Sequence, residues 1–383
     1  MPKPGLLICL TYHLPNVSGL TLSAHALALH LAGRGYPVRI ATARHPADLP
    51  AREEVEGLEV HRSRALAIVA KAAVMPGYAA TVWRALDDMS AVNLYLPNLD
   101  AAVVAIVARL RGRRLIVTYA CSVSRRTLFD RFSRLVAAST HLVAGLLADR
   151  IHVVSEDYAA QSTFCRLFRR KLDFAPYAVP LPLGPDEPAR PTPPDDVAVI
   201  GFVGRISRQK SLELLLDAIP DVADRLGRDV RLDLIGPAEG VIGESYWPGI
   251  KLRIEESGGR MRYRGVLRGE ALAAAYRELD VLVLPSADRL ESYGLVQVEA
   301  MLRGVPVVAS DRPGVRLPVQ ETGMGELFSS GDVGALVEAL VKVLADPGRY
   351  CCDSSQVEAR LGNAVAARPY VSLLEAIEAE SGR

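Results

Sequence analysis

Two glutamates eight residues apart, Glu291 and Glu299, bracket the stretch of this 383-residue chain best suited to chemistry. Before them, Val281 to Leu284 is a short apolar, β-branched run closed by Pro285 and Ser286, the pattern of a buried parallel strand. After Glu291 come Ser292, Tyr293, Gly294 and Leu295. From Leu295 to Leu302 the spacing predicts a helix, stopped at Gly304-Val305-Pro306. A helix start gathers unpaired N–H groups and the positive end of the helix dipole, so this loop is a candidate anion site. Taken as helical throughout, the eight residues span about 12 Å. That would fit a ligand with hydroxyls at both ends and a diphosphate between them. A second pair of candidates follows Gly201-Phe202-Val203-Gly204. Arg205 offers a planar fork of donors and Lys210 a point charge, and together they suit a diphosphate.

The elements that must hold these residues repeat one theme. Leu6 to Leu10 reads as a strand, Leu20 to Ala32 as a helix ended by Gly33 to Tyr36, and Val38 to Thr42 as the next strand, a βαβ opening. Gly19, in the Ser18-Gly19 turn, would let backbone approach a phosphate with no Cβ in the way. His13 lies in the loop at the first strand's carboxyl end, where open α/β sheets bind ligands, which makes it a candidate substrate contact. His25, inside the helix, reads as a packed or surface histidine. Strands follow at Val92–Leu96, Leu115–Tyr119 and Ile151–Val154, with helices at Ala101–Leu110 and, capped by Ser155, Glu156–Phe164. Eight prolines between Pro176 and Pro194 then mark a semi-rigid linker and a domain boundary. The second half restarts the theme. Strands are expected at Val197–Val203, Arg231–Ile235, Arg262–Gly265 and Val307–Ala309. Helices are expected at Leu212–Ile219, where Ser211 is a candidate cap, at Ala335–Leu344, and from Pro369 to Ala379.

Composition narrows the function classes. A net charge of +1 gives no general argument for nucleic acid as a partner. Five cysteines, two of them adjacent at Cys351-Cys352, have no metal spacing and suggest reduced thiols and a cytoplasmic setting. The Leu6–Leu10 run is short for a signal peptide, and no window approaches the roughly 20 apolar residues of a membrane span. Between Arg109 and Lys171 the charge balance tilts: thirteen Lys/Arg stand against four Asp/Glu. Arg125, Arg126, Arg131 and Arg134 punctuate a predicted helix that turns apolar from Leu135 to Leu147. This region reads either as a face for a membrane surface or anionic acceptor, or as a solvated basic helix beside a buried one.

Glu291 to Met301, Gly304 to Ala309, and Gly201 to Arg205 with Lys210 together resemble the E-x7-E and phosphate-binding segments of the family 4 retaining glycosyltransferases of GT-B fold. The resemblance implies an α/β fold of two doubly wound Rossmann-like domains facing a central cleft. It places an acceptor-side domain at 1–180, a nucleotide-sugar domain at 181–366, and a C-terminal helix, 367–383, returning to the first. It further implies transfer of a sugar, with retention, from a nucleoside diphosphate sugar, a UDP-sugar by default. The acceptor would be a hydroxyl on a glycolipid, a polysaccharide precursor or a small molecule. No metal and no other cofactor is implied, and no D-x-D segment of the kind a diphosphate-bound metal uses is present. By the same resemblance Arg205 and Lys210 neutralise the leaving diphosphate, Glu291 positions the sugar and Glu299 the ribose. Gly19, Gly204 and Ser292 to Leu295 line the donor. On the acceptor side stand His13, Tyr119 and Ala120. There the chain departs from the family: Thr118-Tyr119-Ala120-Cys121-Ser122 carries Ala120 and Ser122 where members often have histidine and aspartate. That departure admits a non-catalytic sugar-nucleotide-binding subunit as an alternative. A dinucleotide oxidoreductase would need G-x-G-x-x-G after a strand, and none occurs.

Overall fold

The computed structural model describes residues 3–69, 72–121, 128–181, 197–238 and 246–381. Ser122, Arg125, Arg126 and the prolines from Pro182 to Pro194 lie outside the described residues, as do the side chains of Arg131 and Arg134. The chain divides into two compact units, Met1–Pro180 with Asn363–Arg383, and Leu181–Gly362.

The first unit is built on strands Gly5–Cys9 (β1), Val38–Arg44 (β2), Arg52–Val55 (β3), Leu58–Arg64 (β4), Met89–Leu96 (β7), Arg114–Tyr119 (β8), Arg150–Val153 (β9) and Leu172–Phe174 (β10). A separate two-stranded ribbon joins Ala67–Val69 (β5) to Ala72–Val74 (β6). The eight strands form one sheet in the order β10-β9-β8-β7-β1-β2-β4-β3. All neighbours are parallel except the β3–β4 hairpin. Helices cover both faces of such a sheet, which is why β1 reads as an unbroken apolar run: Leu6, Leu7, Ile8 and Cys9 are all buried. The C-terminal helix, Asn363–Ser381, belongs to this unit. Tyr370 fixes it there, its hydroxyl lying 2.7 Å from Thr118 Oγ1 and 2.6 Å from His152 Nδ1. Burial pushes the His152 imidazole down to about 4, so it serves this network as a neutral ring.

In the second unit the strands Val197–Val203 (β11), Asp229–Ile235 (β12), Met261–Gly265 (β13), Val281–Leu284 (β14), Val307–Ser310 (β15) and Gly325–Phe328 (β16) form one parallel sheet in the order β13-β12-β11-β14-β15-β16. Numbered within the unit, that is 3-2-1-4-5-6, the doubly wound order with its switch point between the first and fourth strands.

Several boundaries differ from the sequence reading, each for a local reason. The first half gains β10 and the β3–β4 hairpin, whose alternating Arg-Glu-Glu-Val edge strand has too little apolar content to stand out. The helix expected at Glu156–Phe164 is two short ones, Glu156–Ala160 and Thr163–Leu167, because Ser162 caps a fresh start by accepting from Cys165 N–H at 3.2 Å. Helix Leu212–Leu226 runs on through Pro220, and Ser211 does not cap it. Ser211 instead sits in the left-handed region at φ 51°, and its hydroxyl accepts from Ala287 N–H at 3.2 Å.

Candidate active site

In the second unit the loops after β11 and β14 leave the sheet at its switch point, where strand order reverses and neighbouring loops splay apart. The β11 loop is held down first. Gly204 N–H donates to Ile235 C=O at 2.9 Å and Ile206 N–H to Pro237 C=O at 2.9 Å, so it is zipped to the end of β12. That approach is so close that a Cβ on Gly236 would stand 2.1 Å from the Gly204 carbonyl oxygen, which leaves glycine as the residue that fits. A short 3-10 turn, Arg208–Lys210, then swings the Lys210 side chain toward β14.

The β14 loop is pinned from the other side. Ser310 Oγ donates to Ser286 C=O at 2.7 Å, and Gln297 Nε2 donates to Tyr293 C=O at 2.7 Å and to Val315 C=O at 2.9 Å. Gly294 precedes the Leu295–Leu302 helix at φ 79°, with its Cα against Leu284; a Cβ there would lie 2.3 Å from Leu284 Cδ2. No side chain caps this helix start. Between the two pinned loops, Lys210 Nζ and Glu291 Oε2 form an ion pair, their side chains 15% and 12% exposed. Ser286 Oγ lies 3.4 Å from the same carboxylate oxygen.

Thus Gly204, Lys210, Glu291 and the Ser292–Leu295 helix start are gathered at one sheet crevice. Lys210 and Glu291, assigned separate tasks on the sequence, are each other's partners. Arg205 is exposed and makes no ion pair with any described residue, so it remains an uncommitted cation. Among the described residues no three His, Cys, Asp or Glu side chains cluster as metal ligands do.

Glu299 is different. Residues 291–294 are loop rather than helix, so only the segment from Leu295 to Glu299 rises helically, about 6 Å instead of 12 Å. The Glu299 side chain is 4% exposed and accepts from Tyr276 O–H at 2.6 Å. Burial raises its carboxyl above the usual range, opposed by the Tyr276 bond and the nearby Arg303 guanidinium. Arg303 Nη1 in turn donates to Glu299 C=O at 2.9 Å. Sequence reasoning missed Tyr276, Gln297 and Arg303 as partners of this helix.

The acceptor-side candidates belong to the first unit. Ala120 is buried at 8% within that unit's core, its N–H donating to Leu96 C=O at 3.1 Å. Tyr119 is a core residue too, its ring stacked on Phe164 with centroids 5.3 Å apart and its carbonyl accepting from Tyr177 O–H at 2.8 Å. Both therefore pack the end of β8. Gly19 is exposed in the first turn of the Gly19–Gly33 helix, which Ser18 caps by accepting from Thr21 N–H at 3.1 Å. His13 is 2% exposed in the loop after β1, and its partner is His25, Nε2 to Nδ1 at 3.1 Å.

Two doubly wound units, the second carrying a cation–carboxylate pair at its switch point, are the architecture of the GT-B fold. The comparisons agree. The family "Glycosyl transferases group 1" matches residues 197–346, and "Glycosyl transferase 4-like domain" matches residues 18–178. A phosphatidyl-myo-inositol mannosyltransferase of Mycobacterium leprae is 32% identical over 180 residues, covering 46% of this chain and 46% of that one. The chain therefore spans about half the length of that relative. A GDP-mannose-dependent alpha-mannosyltransferase of Mycolicibacterium smegmatis is 28% identical over 362 residues, 88% of each chain. Among solved structures, Anabaena Alr3699/HepE in complex with UDP and glucose superposes with a TM-score of 0.71 at 17% identity, over 97% of this chain and 99% of that one. The two family matches, at residues 18–178 and 197–346, liken both halves of the chain to glycosyltransferase domains, and the solved structure shows the GT-B fold.

Proposed function

We propose that the chain transfers a hexosyl group, with retention, from a nucleoside diphosphate sugar to a hydroxyl-bearing acceptor, and needs no metal to do so. The observation that carries this reading is the Lys210–Glu291 pair beside an uncapped helix start at the sheet's switch point. Without donor, each charge answers the other. With donor, the diphosphate takes Lys210, together with Arg205 and the N–H groups at Gly294 and Leu295. Glu291 is then released to accept hydrogen bonds from sugar hydroxyls. Charge growing on the departing phosphate oxygen meets fixed cations and dipoles, the term that usually dominates such catalysis. The acceptor hydroxyl attacks from the leaving-group face, and its proton leaves on the phosphate. Glu299, buried beneath this loop, holds the helix; any ribose contact requires it to turn from Tyr276.

For the base, uridine is the expectation from sequence. Guanosine has the support of the relative matched over 88% of its length, which is named for GDP-mannose. A thermal-shift panel of UDP, GDP, ADP and dTDP decides between them. The matching nucleotide at 100 times its dissociation constant should stabilise the protein by about 2.7 kcal/mol. Stabilisation by none of the four removes the donor-site reading.

One surface favours a cytoplasmic enzyme working at the inner face of a membrane on a lipid-borne acceptor. The helix Leu128–Leu147 exposes Leu135, Leu142 and Leu146 at 67%, 41% and 62%, and Leu167 is 62% exposed. Lys171 Nζ donates to the Leu146 carbonyl at 2.9 Å, and Arg166, Arg169 and Arg170 are exposed nearby in sequence. Leucines edged by cations suit an anionic bilayer. Co-sedimentation with phosphatidylglycerol vesicles but not phosphatidylcholine vesicles is expected, and Leu146→Asp should abolish it. Equal recovery with both vesicle types would refute the surface.

A further inference from the structure

Ser211 forgoes both things that a serine before a helix ordinarily does. It precedes helix Leu212–Leu226, where an extended backbone and a hydroxyl accepting from the first turn would be usual. Its backbone is instead left-handed, at φ 51° and ψ 46°, and its hydroxyl caps nothing in that helix. Such a backbone is uncommon for a residue with a Cβ and persists only where the surroundings hold it. What holds it is a bond across 76 positions of chain, Ala287 N–H donating to Ser211 Oγ at 3.2 Å. The other end of the same peptide is held too. Ser310 Oγ, at the end of β15, donates to Ser286 C=O at 2.7 Å. The Ser286 carbonyl and the Ala287 N–H belong to one planar peptide unit, so gripping both ends fixes the rotation of the plane. Ser286 and Ser310 are fully buried, and a carbonyl left bare there would be costly.

From this clamp, short hydrogen-bonded arms lead to each member of the ion pair. On one side, Asp288 Oδ1 accepts from Leu290 N–H at 3.0 Å and Asp288 C=O accepts from Glu291 N–H at 3.2 Å. That is an Asx turn, and it carries the chain directly from Ala287 to Glu291. Ser286 Oγ, on the clamped peptide, lies 3.4 Å from Glu291 Oε2. On the other side, Lys210 N–H donates to Ser207 C=O at 2.9 Å and Ser211 N–H to Arg208 C=O at 3.1 Å. These bonds close the 3-10 turn that ends on Lys210, immediately before Ser211. Lys210 and Glu291 pair at the tips of two arms that are joined at Ser211 and Ala287.

We propose that Ser211 and Ser310 are positioning residues, whose grip on the Ser286–Ala287 peptide sets the Lys210–Glu291 pair and so governs the exchange of Lys210 from Glu291 to a diphosphate. In this role neither serine touches the ligand. The left-handed backbone at Ser211 aims its hydroxyl across to Ala287 rather than back onto its own helix. This assignment rests on the donor-site reading above and adds the residues that keep its ion pair in register.

Glycine at position 211 separates the two consequences of this geometry. Ser211→Gly removes the hydroxyl but suits the left-handed backbone, so it should melt at or above the temperature of Ser211→Ala, which loses the hydroxyl and keeps the unfavourable φ. In the 15N-labelled full chain, the Ala287 amide should exchange with solvent deuterium about fivefold faster in both variants, the factor for one neutral hydrogen bond. The amides of β14 and β15 should keep their rates. An unchanged Ala287 rate overturns the clamp, and a rise spread over both strands marks general loosening and overturns it as well. The positioning role is read from a double-mutant cycle with Glu291→Gln, titrating whichever of UDP, GDP, ADP and dTDP stabilises the chain. Alone, Glu291→Gln should tighten that nucleotide about fivefold. In the Ser211→Gly or Ser310→Ala background it should tighten it by less than about twofold, because the pair it relieves is no longer held. The same factor in all three backgrounds overturns the positioning role. Failure of the unsubstituted chain to bind any of the four nucleotides would instead count against the donor-site reading, and the Ala287 exchange rate would still decide the clamp.

Discussion

Replacing Glu291 with glutamine should tighten the binding of bare nucleoside diphosphate while depressing sugar transfer. From sequence alone, Glu291 concerns the sugar and its loss leaves the bare nucleotide untouched. The ion pair changes that expectation. Lys210 is mostly buried and already neutralised, so a diphosphate that recruits it must first separate it from Glu291. A hydrogen bond to a charged group is worth about 1.5–3 kcal/mol net, and the diphosphate replaces most of what Lys210 gives up. The unreturned part is the cost of leaving Glu291 in a crevice where its remaining described contact is Ser286 Oγ at a long 3.4 Å. Allowing for water entering the opened site, that cost is about 1 kcal/mol, or about fivefold in dissociation constant. Glutamine removes the charge at similar volume, so isothermal titration of Glu291→Gln should show about fivefold tighter nucleotide binding, accompanied by a large fall in kcat. Lys210→Ala is the mirror experiment. It strands a mostly buried carboxylate, so it should weaken nucleotide binding and also destabilise the second unit by about 3 kcal/mol. Weaker nucleotide binding by Glu291→Gln would refute the partner exchange, because it would mean that Glu291 supports the diphosphate rather than competing with it for Lys210.

Arg205→Ala should weaken nucleoside diphosphate by about 1.5 kcal/mol with no change in melting temperature, since Arg205 is exposed and forms no ion pair with a described residue; unchanged affinity removes it from the phosphate site. Glu299→Gln tests pH dependence. Burial raises the folded carboxyl above its unfolded value, so the contribution of Glu299 to stability is greatest below the ordinary glutamate pKa and is lost as pH rises through the raised one. The melting temperature of the wild type relative to Glu299→Gln should therefore fall as pH is raised through that window, and a difference that grows with pH would contradict the assignment.

Alternation of short apolar runs with helical segments was enough to expect two doubly wound units, because a parallel strand covered on both faces leaves an unbroken apolar signature, as Val281 to Leu284 does. The contents of each crevice were legible as residue types but not as partners. Lys210 and Glu291 are 81 residues apart and His25 and Glu56 are 31 apart, and no local pattern encodes which loops a sheet's strand order will bring side by side. Glu299 is another matter, since its burial did have a signal. Its helix reads Leu-Val-Gln-Val-Glu-Ala-Met-Leu, apolar on every side, and a helix apolar all round is an interior one. The two polar residues it carries must then be satisfied inside the protein. Gln297 Nε2 donates to the carbonyls of Tyr293 and Val315, and the Glu299 carboxylate accepts from Tyr276. The eight-residue spacing drew attention to both glutamates as a matched pair. Their surroundings separate them: Glu291 lies in the loop before the helix and pairs with Lys210, whereas Glu299 is buried on the helix itself and held by Tyr276.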